Sequence, residues 1–323
     1  MILNDANFCN YINNNFVFEN NPRVAIAVSG GPDSMALLHL VNNWVKTKKG
    51  IVEALIVNHN IRENSKEEAY NVSKILTDYK IKSKILNTNI KRVKKKNMNE
   101  ARNNRYSLLT EYCKKEKILH LFVAHHLDDN LETFLLRRVS GSNFDGLASI
   151  SKKVLINKIN ILRPLLNLSK KKIYKFNKIN KIKYIEDPSN VNYRFSRPII
   201  RKYLSDISFD KKKEIVNDFT LIKKNISKYK NMISEILFKN LDYVDSKIVK
   251  IDQNVLLKFD YFIAERIIQR IYSYLSNKGV SIRFSKIEIL IKFIETNNLK
   301  VFNLKDMKIT KIEDLLIFSL YKG

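Results

Sequence analysis

The chain has 323 residues, enough for two domains at about 150 residues each. Its 45% hydrophobic and 28% charged residues exclude a peptide-sized scaffold, a collagen-like rod and a wholly disordered chain. Lys and Arg number 59 against 32 Asp and Glu, and the resulting charge of +27 draws polyanions such as nucleic acid or an anionic membrane surface. The abundance of Lys, Asn and Ile offers a second source for part of that charge, a solvated surface shaped by biased nucleotide composition.

The opening MILNDANFCNYINNNF has no basic segment followed by an apolar stretch, and no run reaches the 18 apolar residues of a membrane span, so a soluble, cytoplasmic protein is expected. Arg23 to Val28 (RVAIAV) is a short apolar run rich in β-branched residues. It leads through SGGPDS into a helical pattern carried by Leu37, Leu40, Val41, Trp44 and Val45. The strand signal returns at 51–57, 82–88 and 118–124, with helix-length segments at about 65–79 and 98–117. Strands alternating with helices predict an α/β fold with a doubly wound, mostly parallel sheet. Beyond about residue 205 come Lys-rich helical stretches, 208–239, 260–277 and 283–297, and a strand-like tail. The expected organisation is a catalytic domain over 1–205 and a mostly helical second domain over 206–323 ending in a small β element.

In a doubly wound sheet ligands bind beyond the carboxyl ends of the strands. SGGPDS follows the first strand, NHNIR the second and HHLDD the fourth, so His59, His125 and His126 gather at one rim. The chain has only seven glycines, and Gly30, Gly31, Gly141 and Gly146 fall in two short loops, where the backbone is expected to need conformations or approaches that a Cβ forbids. Cys9 and Cys113 form no C-x-x-C pair; both read as buried thiols.

Ser29, Gly30, Gly31, Pro32, Asp33 and Ser34 place two glycines, two hydroxyls and an acid between a buried strand and a helix start. Backbone N–H groups at a helix N-terminus, with the close approach glycine permits, suit phosphate. Pro32 fits the first helical position. The loop is neither a Walker A sequence nor a G-x-G-x-x-G fingerprint. Asp33 repels phosphate unless Mg²⁺ bridges them or it serves as a helix cap; a cap without ligand is the plain alternative.

At these residues the chain resembles the ATP-pyrophosphatase, or PP-loop, superfamily, whose S-G-G-x-D-S loop grips the pyrophosphate of ATP. NEARNNRY (Asn99 to Tyr106), AHHLDDNLETFLLRR (Ala124 to Arg138), SGSNFDGLASI (Ser140 to Ile150), RPLL (Arg163 to Leu166) and EDPSN (Glu186 to Asn190) follow in the order found in the tRNA(Ile)-lysidine synthetase family. The resemblance covers residues 20–205 strongly and the remainder loosely. It implies an adenine nucleotide alpha hydrolase-like fold.

Asp129 and Glu132, three apart, share a helical face, where two carboxylates can receive Mg²⁺ or a lysine substrate's amines. Complementing the helix dipole is the alternative, and the stronger one for Asp128. Metal ligation is assigned to Asp33 with Asp129. Arg102 and Arg105, at i and i+3, can point together at phosphates or at charge developing on an adenylylated base; a solvated face pairing Glu100 with an arginine competes. From Ser151 to Glu186 there are eleven Lys or Arg against one acid, with Tyr174, Phe176 and Tyr184 interleaved. The charges suit RNA backbone, whereas the aromatics read better as core. Lys91 to Lys96 read as RNA contacts or plain surface charge, and Asp187-Pro188-Ser189-Asn190 as a rigid turn beside the tRNA or lysine. The histidines have no transition-metal spacing.

The resemblance implies a two-step reaction. ATP adenylylates the C2 carbonyl oxygen of the wobble cytidine in a CAU-anticodon isoleucine tRNA, releasing pyrophosphate. The amine of free L-lysine then displaces AMP, with Mg²⁺ and loop N–H groups stabilising the departing pyrophosphate. A homodimer is among the assemblies this allows. tRNA thiolation is the rival within the superfamily, weakened because Cys9 and Cys113 match no sulfur or cluster arrangement; a noncatalytic RNA binder is the rival outside it. Asn58 stands where the family has Asp, Asn143 and Ser149 where it has Gly, Ser140 where it has Arg, and Pro198 where it has Asn, which weakens the case for Arg197 and Arg201 in the site. The chain is expected to stop after the first C-terminal domain of longer family members.

Overall fold

The computed structural model describes residues 2–58, 65–88, 98–142, 144–185, 196–245, 247–276 and 282–321. It divides into two compact units, residues 1–222 and 223–323. The division falls inside a 32-residue helix, whereas the expected boundary at 205/206 falls at the end of the helix before it.

In chain order the first unit runs α1 (Asp5–Asn15), β1 (Arg23–Ala27), α2 (Pro32–Thr47), β2 (Ile51–Asn58), α3 (Ser65–Asp78), β3 (Lys82–Asn87), α4 (Met98–Lys115), β4 (His120–Phe122), α5 (Leu127–Val139), α6 (Phe144–Leu147), β5 (Lys153–Ile156), β6 (Ile159–Leu162), α7 (Lys170–Ile179), α8 (Ser196–Asp206) and the start of α9 (Phe209–Asn240). The sheet order is β3-β2-β1-β4-β6-β5, all parallel except the edge strand β5. Both faces are covered, so the strands read as continuous apolar runs while still sorting by the period of two. Val24, Ile26, Ala54, Ile56, Phe122 and Leu162 join a core with α1, α2, α3 and α7, while Ala25, Leu55, Leu121 and Ile161 join one with α4. A third cluster packs α5 against α8 and the start of α9 through Leu131, Phe134, Leu204, Ile215 and Phe219. Cys113 is buried and burial pushes its thiol up to about 12, whereas Cys9 is half-buried, against the expectation of two buried thiols.

β1 has β2 on one side and β4 on the other, so the chain reverses its direction of travel across the sheet between β1 and β4. That is the switch point where an open α/β sheet leaves a crevice at its carboxyl edge. The loops after β1 and β4 both open there.

The second unit holds the rest of α9, then β7 (Asp242–Asp245), β8 (Ile248–Asp252), α10 (Gln253–Leu257), α11 (Tyr261–Ser276), α12 (Phe284–Glu295), β9 (Val301–Leu304), β10 (Met307–Ile312) and β11 (Leu315–Leu320). Its antiparallel sheet has the order β7-β8-β11-β10-β9. Ala264, Ile267, Ile268, Ile271 and Leu275 form one helical stripe of α11, buried with Ile287 and Leu290 of α12 against Val249, Ile309 and Phe318 of the sheet. The β element is therefore larger than the tail alone. Among the described residues no helix is long and apolar enough to cross a membrane.

Candidate active site at the β1–α2 and β4–α5 turns

Gly30 adopts φ +81, and a Cβ there would lie 2.4 Å from Val72 Cγ2, so both the backbone conformation and the space require glycine. Gly31 and Gly146 do not share that positive φ; Gly31 is the cap residue of α2 at φ −72. Gly141, at φ +64, does. Pro32 occupies the first helical position, and the first i to i−4 bond of α2 runs from Met35 N–H to the Gly31 carbonyl at 3.1 Å. The N–H groups of Asp33 and Ser34 therefore face outward without an intrahelical acceptor. The Ser34 hydroxyl donates to the Gly31 carbonyl at 3.0 Å and accepts from Ser29 N–H at 3.2 Å, which holds the loop closed on itself. The result is an anion nest on the positive end of a buried helix.

Asp33, in the first turn of α2, has its Oδ2 3.6 Å from His126 Nε2, and its buried Oδ1 has no hydrogen-bond partner. His126 caps α5, and its backbone N–H donates to Asp129 Oδ2 at 3.0 Å. Asp129 Oδ2 also lies 3.6 Å from His126 Nε2, so Asp33 and Asp129 flank one ring nitrogen from two different loops. Burial alone would lower the His126 pKa, but the carboxylates of Asp33, Asp129 and Asp128 outweigh it and raise it. Asp128 also accepts the Lys170 N–H at the start of α7 at 2.7 Å and pairs with Lys212 at 3.5 Å. It ties α5 to α7 as a cap supplied from another helix.

This donor set fits a magnesium ion. Asp33 Oδ1 is a buried, unpartnered hard oxygen beside a second carboxylate, and Mg²⁺ takes one or two carboxylates with phosphate oxygens and water completing its shell. Among the described residues no group of three His, Cys, Asp or Glu forms a protein-only cage.

Glu132 does not stand free beside Asp129. It is 4% exposed and its Oε1 takes Arg201 Nε at 2.6 Å, while Oε2 is buried without a partner. Arg201 is held further protonated first by Glu132, then by Asp129 and Asp33. Pro198 sits in the first turn of α8, where proline forfeits no helical hydrogen bond, so it leaves Arg201 on the helix and in the site.

Arg102 and Arg105 flank the ring of Tyr106, at 5.4 and 5.5 Å from its centroid. Glu100 makes no ion pair among the described residues. Burial, then the repulsion of Arg102, lowers the pKa of Arg105. His125 is pushed down to about 2, first by burial and then by Arg163, Arg102 and Arg105, and so is neutral. Asn58 is buried and donates to Asn87 Oδ1 at 3.1 Å, a neutral amide pair where an Asp would bring charge. Phe176 is core, while Tyr174 and Tyr184 are half-buried and meet edge to face at 6.1 Å. His59, Lys91 to Lys96, Asn143 and Asp187 to Asn190 lie outside the described residues.

One residue not singled out in the sequence supports this site. Asn177, 1% exposed, donates to the Pro32 carbonyl at 2.9 Å. Asn177 lies hidden in a lysine-rich helix, where nothing in the sequence marks it. Ser149, away from the loop, adopts φ +58, a conformation that suits glycine.

A family model described as the PP-loop domain matches residues 4–207. The tRNA(Ile)-lysidine synthase of Wolbachia pipientis wMel is 44% identical over 199 residues, 61% of this chain and 46% of that protein. That of Orientia tsutsugamushi is 38% identical over 250 residues, 76% of this chain and 54% of its own length. That of Rickettsia typhi is 34% identical over 309 residues, 92% of this chain and 69% of its length. The chain thus spans about half the length of the first two. Among solved structures, the U34-tRNA thiolase NcsA from Methanococcus maripaludis superposes with a TM-score of 0.55 at 21% identity, covering 68% of this chain and 79% of that one, a likeness of fold.

Proposed function

The chain belongs to the PP-loop family and, within it, to the tRNA(Ile)-lysidine synthases, and on that premise we propose that it joins L-lysine to C2 of the wobble cytidine of a CAU-anticodon isoleucine tRNA at the expense of ATP. The observation that carries this reading is the loop after β1, where Gly30 at φ +81 and the outward N–H groups of α2 form a phosphate nest beside the unpartnered Asp33 Oδ1.

In this reading the loop from Ser29 to Ser34 binds the phosphates, and Asp33 with Asp129 holds Mg²⁺. When bound, the ion neutralises charge on the departing pyrophosphate. The cytidine C2 oxygen attacks the α-phosphorus, the bond to pyrophosphate breaks, and the lysine amine then adds at C2 as AMP leaves. Arg102 and Arg105 meet the charge that develops on the adenylylated base. Glu132 is the acceptor for a lysine ammonium only through its free Oε2, since Arg201 takes the other oxygen. The exposed Lys170, Lys171, Lys175, Lys178, Lys181 and Lys183 suit RNA backbone. The second unit serves as a further tRNA-binding surface. The catalytic domain is taken as 1–205.

The deciding experiment supplies the purified protein with ATP, Mg²⁺, labelled lysine and isoleucine tRNA transcript. Label enters the RNA in step with AMP, and Asp33→Ala abolishes both. AMP release without label, or label retained in Asp33→Ala, overturns the reading.

A further inference from the structure

A cleft of about 440 Å³ opens between α4 and the β5–β6 hairpin, lined by Arg102, Asn103, Asn104, Tyr106, Asn157 and Arg163 among others. No residue of the 29–34 loop lines it. Its volume is within the roughly 300–1,000 Å³ usual for ligand sites.

Arg163 is 4% exposed; among the described residues its guanidinium donates only to the Ser151 carbonyl at 2.9 Å and the Tyr106 hydroxyl at 3.4 Å, and its buried Nε has no partner. Among the described residues no carboxylate pairs with Arg163, Arg102 or Arg105. Of the two acids of α4, Glu100 makes no ion pair among the described residues, and Glu111 takes the Ser107 hydroxyl at 2.7 Å instead. A buried cation without an anion is costly, and three guanidiniums gathered with none are costlier still. Burial first, and then the same three arginines, push the His125 pKa down, in keeping with positive charge that nothing offsets.

We propose that this cleft, which borders the reaction centre at Arg102, is a second phosphate site that takes one nucleotide of the RNA strand with its phosphate against Arg163 and its base edge against the asparagine amides. Arginine forks match phosphate oxygens, and amides match the donor and acceptor edges of an unstacked base. A site outside the glycine loop serves the RNA rather than ATP, whose phosphates have their own nest. The inference rests on the reading that the protein acts on RNA.

The test measures binding of a fluorescent CAU-anticodon stem-loop RNA to the full chain across a salt series, with heats of ATP binding in parallel. Asn103 is exposed on α4, so Asn103→Glu brings a negative charge to the cleft without disturbing the core. Asn103→Glu weakens RNA binding at least tenfold and leaves the ATP heat unchanged. Arg163→Gln, checked by its melting curve, also weakens RNA binding and reduces the salt slope by about one. Should Arg163→Gln fail to fold, Asn103→Glu decides alone. RNA affinity equal to wild type in Asn103→Glu overturns the proposal, as does loss of ATP binding with RNA binding kept. If wild type binds RNA but incorporates no lysine, only the activity reading falls and the cleft stands; if wild type binds no RNA, both fall.

Discussion

Asn177 Nδ2 donates to the Pro32 carbonyl at 2.9 Å, joining α7 to the first turn of α2 across 145 positions of sequence. A second strap, Ile185 N–H to the Gly30 carbonyl at 2.9 Å, fixes the other arm of the same loop. The phosphate nest is therefore held from outside by α7 and the segment that follows it. Asn177→Ala removes one strap and, at a cost of about 1 kcal/mol of stability, raises the KM for ATP about tenfold while changing kcat less. Steady-state kinetics with pyrophosphate release as the readout separates this from a purely structural role, in which KM and kcat stay as in wild type and only Tm moves.

Gly30→Ala meets two obstacles, the Val72 methyl 2.4 Å away and a left-handed φ. Replacing Val72 with Ala removes the first only. The double variant Gly30→Ala/Val72→Ala thus regains part of the stability lost in Gly30→Ala, leaving a conformational cost of about 1–2 kcal/mol. Thermal melts measure the recovery, and calorimetry finds ATP affinity still reduced in both. Full recovery of ATP binding in the double variant contradicts a backbone requirement for glycine here.

The buried Glu132 depends on Arg201, whose Nε lies 2.6 Å away. Arg201→Met strands a carboxylate that is 4% exposed, and breaking such a pair costs about 3–5 kcal/mol when both partners are buried. Arg201 is 43% exposed at its side chain, so the loss falls below that range. Glu132→Gln/Arg201→Met is more stable than Arg201→Met alone, and a double-mutant cycle in urea reads the coupling. Additive losses dispose of the pair.

Ser149 stands at φ +58, a left-handed conformation that favours glycine. Its hydroxyl donates to the Leu147 carbonyl at 3.2 Å, and Arg137 reaches toward its own carbonyl at 3.5 Å. Relief of a left-handed serine outweighs that weak hydroxyl bond, so Ser149→Gly raises stability by up to about 1 kcal/mol, read as an increase in Tm. An unchanged or lower Tm assigns the serine hydroxyl the larger share.

Strands β1 to β4 are legible because burial on both faces demands apolar, β-branched runs, and the phosphate loop because glycine is scarce enough to mark its positions. β5 and β6 are not legible: Lys153–Ile156 alternates with exposed Lys153 and Leu155 on an edge, which resembles a polar loop. β7 has every residue exposed, so no alternation betrays it. The carboxylate face of α5 was legible in its spacing of three, but its partner Arg201 lies 69 residues on and only folding discloses it. The same holds for Glu53, an acid inside an apolar strand. It is sustained by Tyr112 at 2.5 Å, Arg23 at 3.1 Å and Lys82 at 3.2 Å, and their hydrogen bonds lower its pKa against the opposing effect of burial.

Two adjacent histidines give the stability of the first unit opposite pH dependences. His125 has its folded pKa pushed down to about 2 from an ordinary 6.5, by burial and then by the neighbouring arginines. Below pH 6.5 the unfolded chain binds a proton that the folded chain refuses, so this residue's contribution is complete above 6.5 and is lost as pH falls, at up to about 1.4 kcal/mol per pH unit. His126 has its folded pKa raised by the carboxylates of Asp33, Asp129 and Asp128 against burial. Its contribution is complete below 6.5 and is lost as pH rises through the folded value. Between pH 7 and pH 5 the large His125 shift dominates, and wild-type Tm falls. His125→Asn replaces the titrating ring by an amide and flattens that fall, a difference worth about 2 kcal/mol at pH 5. Melting curves of the two proteins in matched buffers decide it: parallel slopes mean that His125 takes up its proton in the folded chain after all, and that the three arginines do not surround it as a charge cluster.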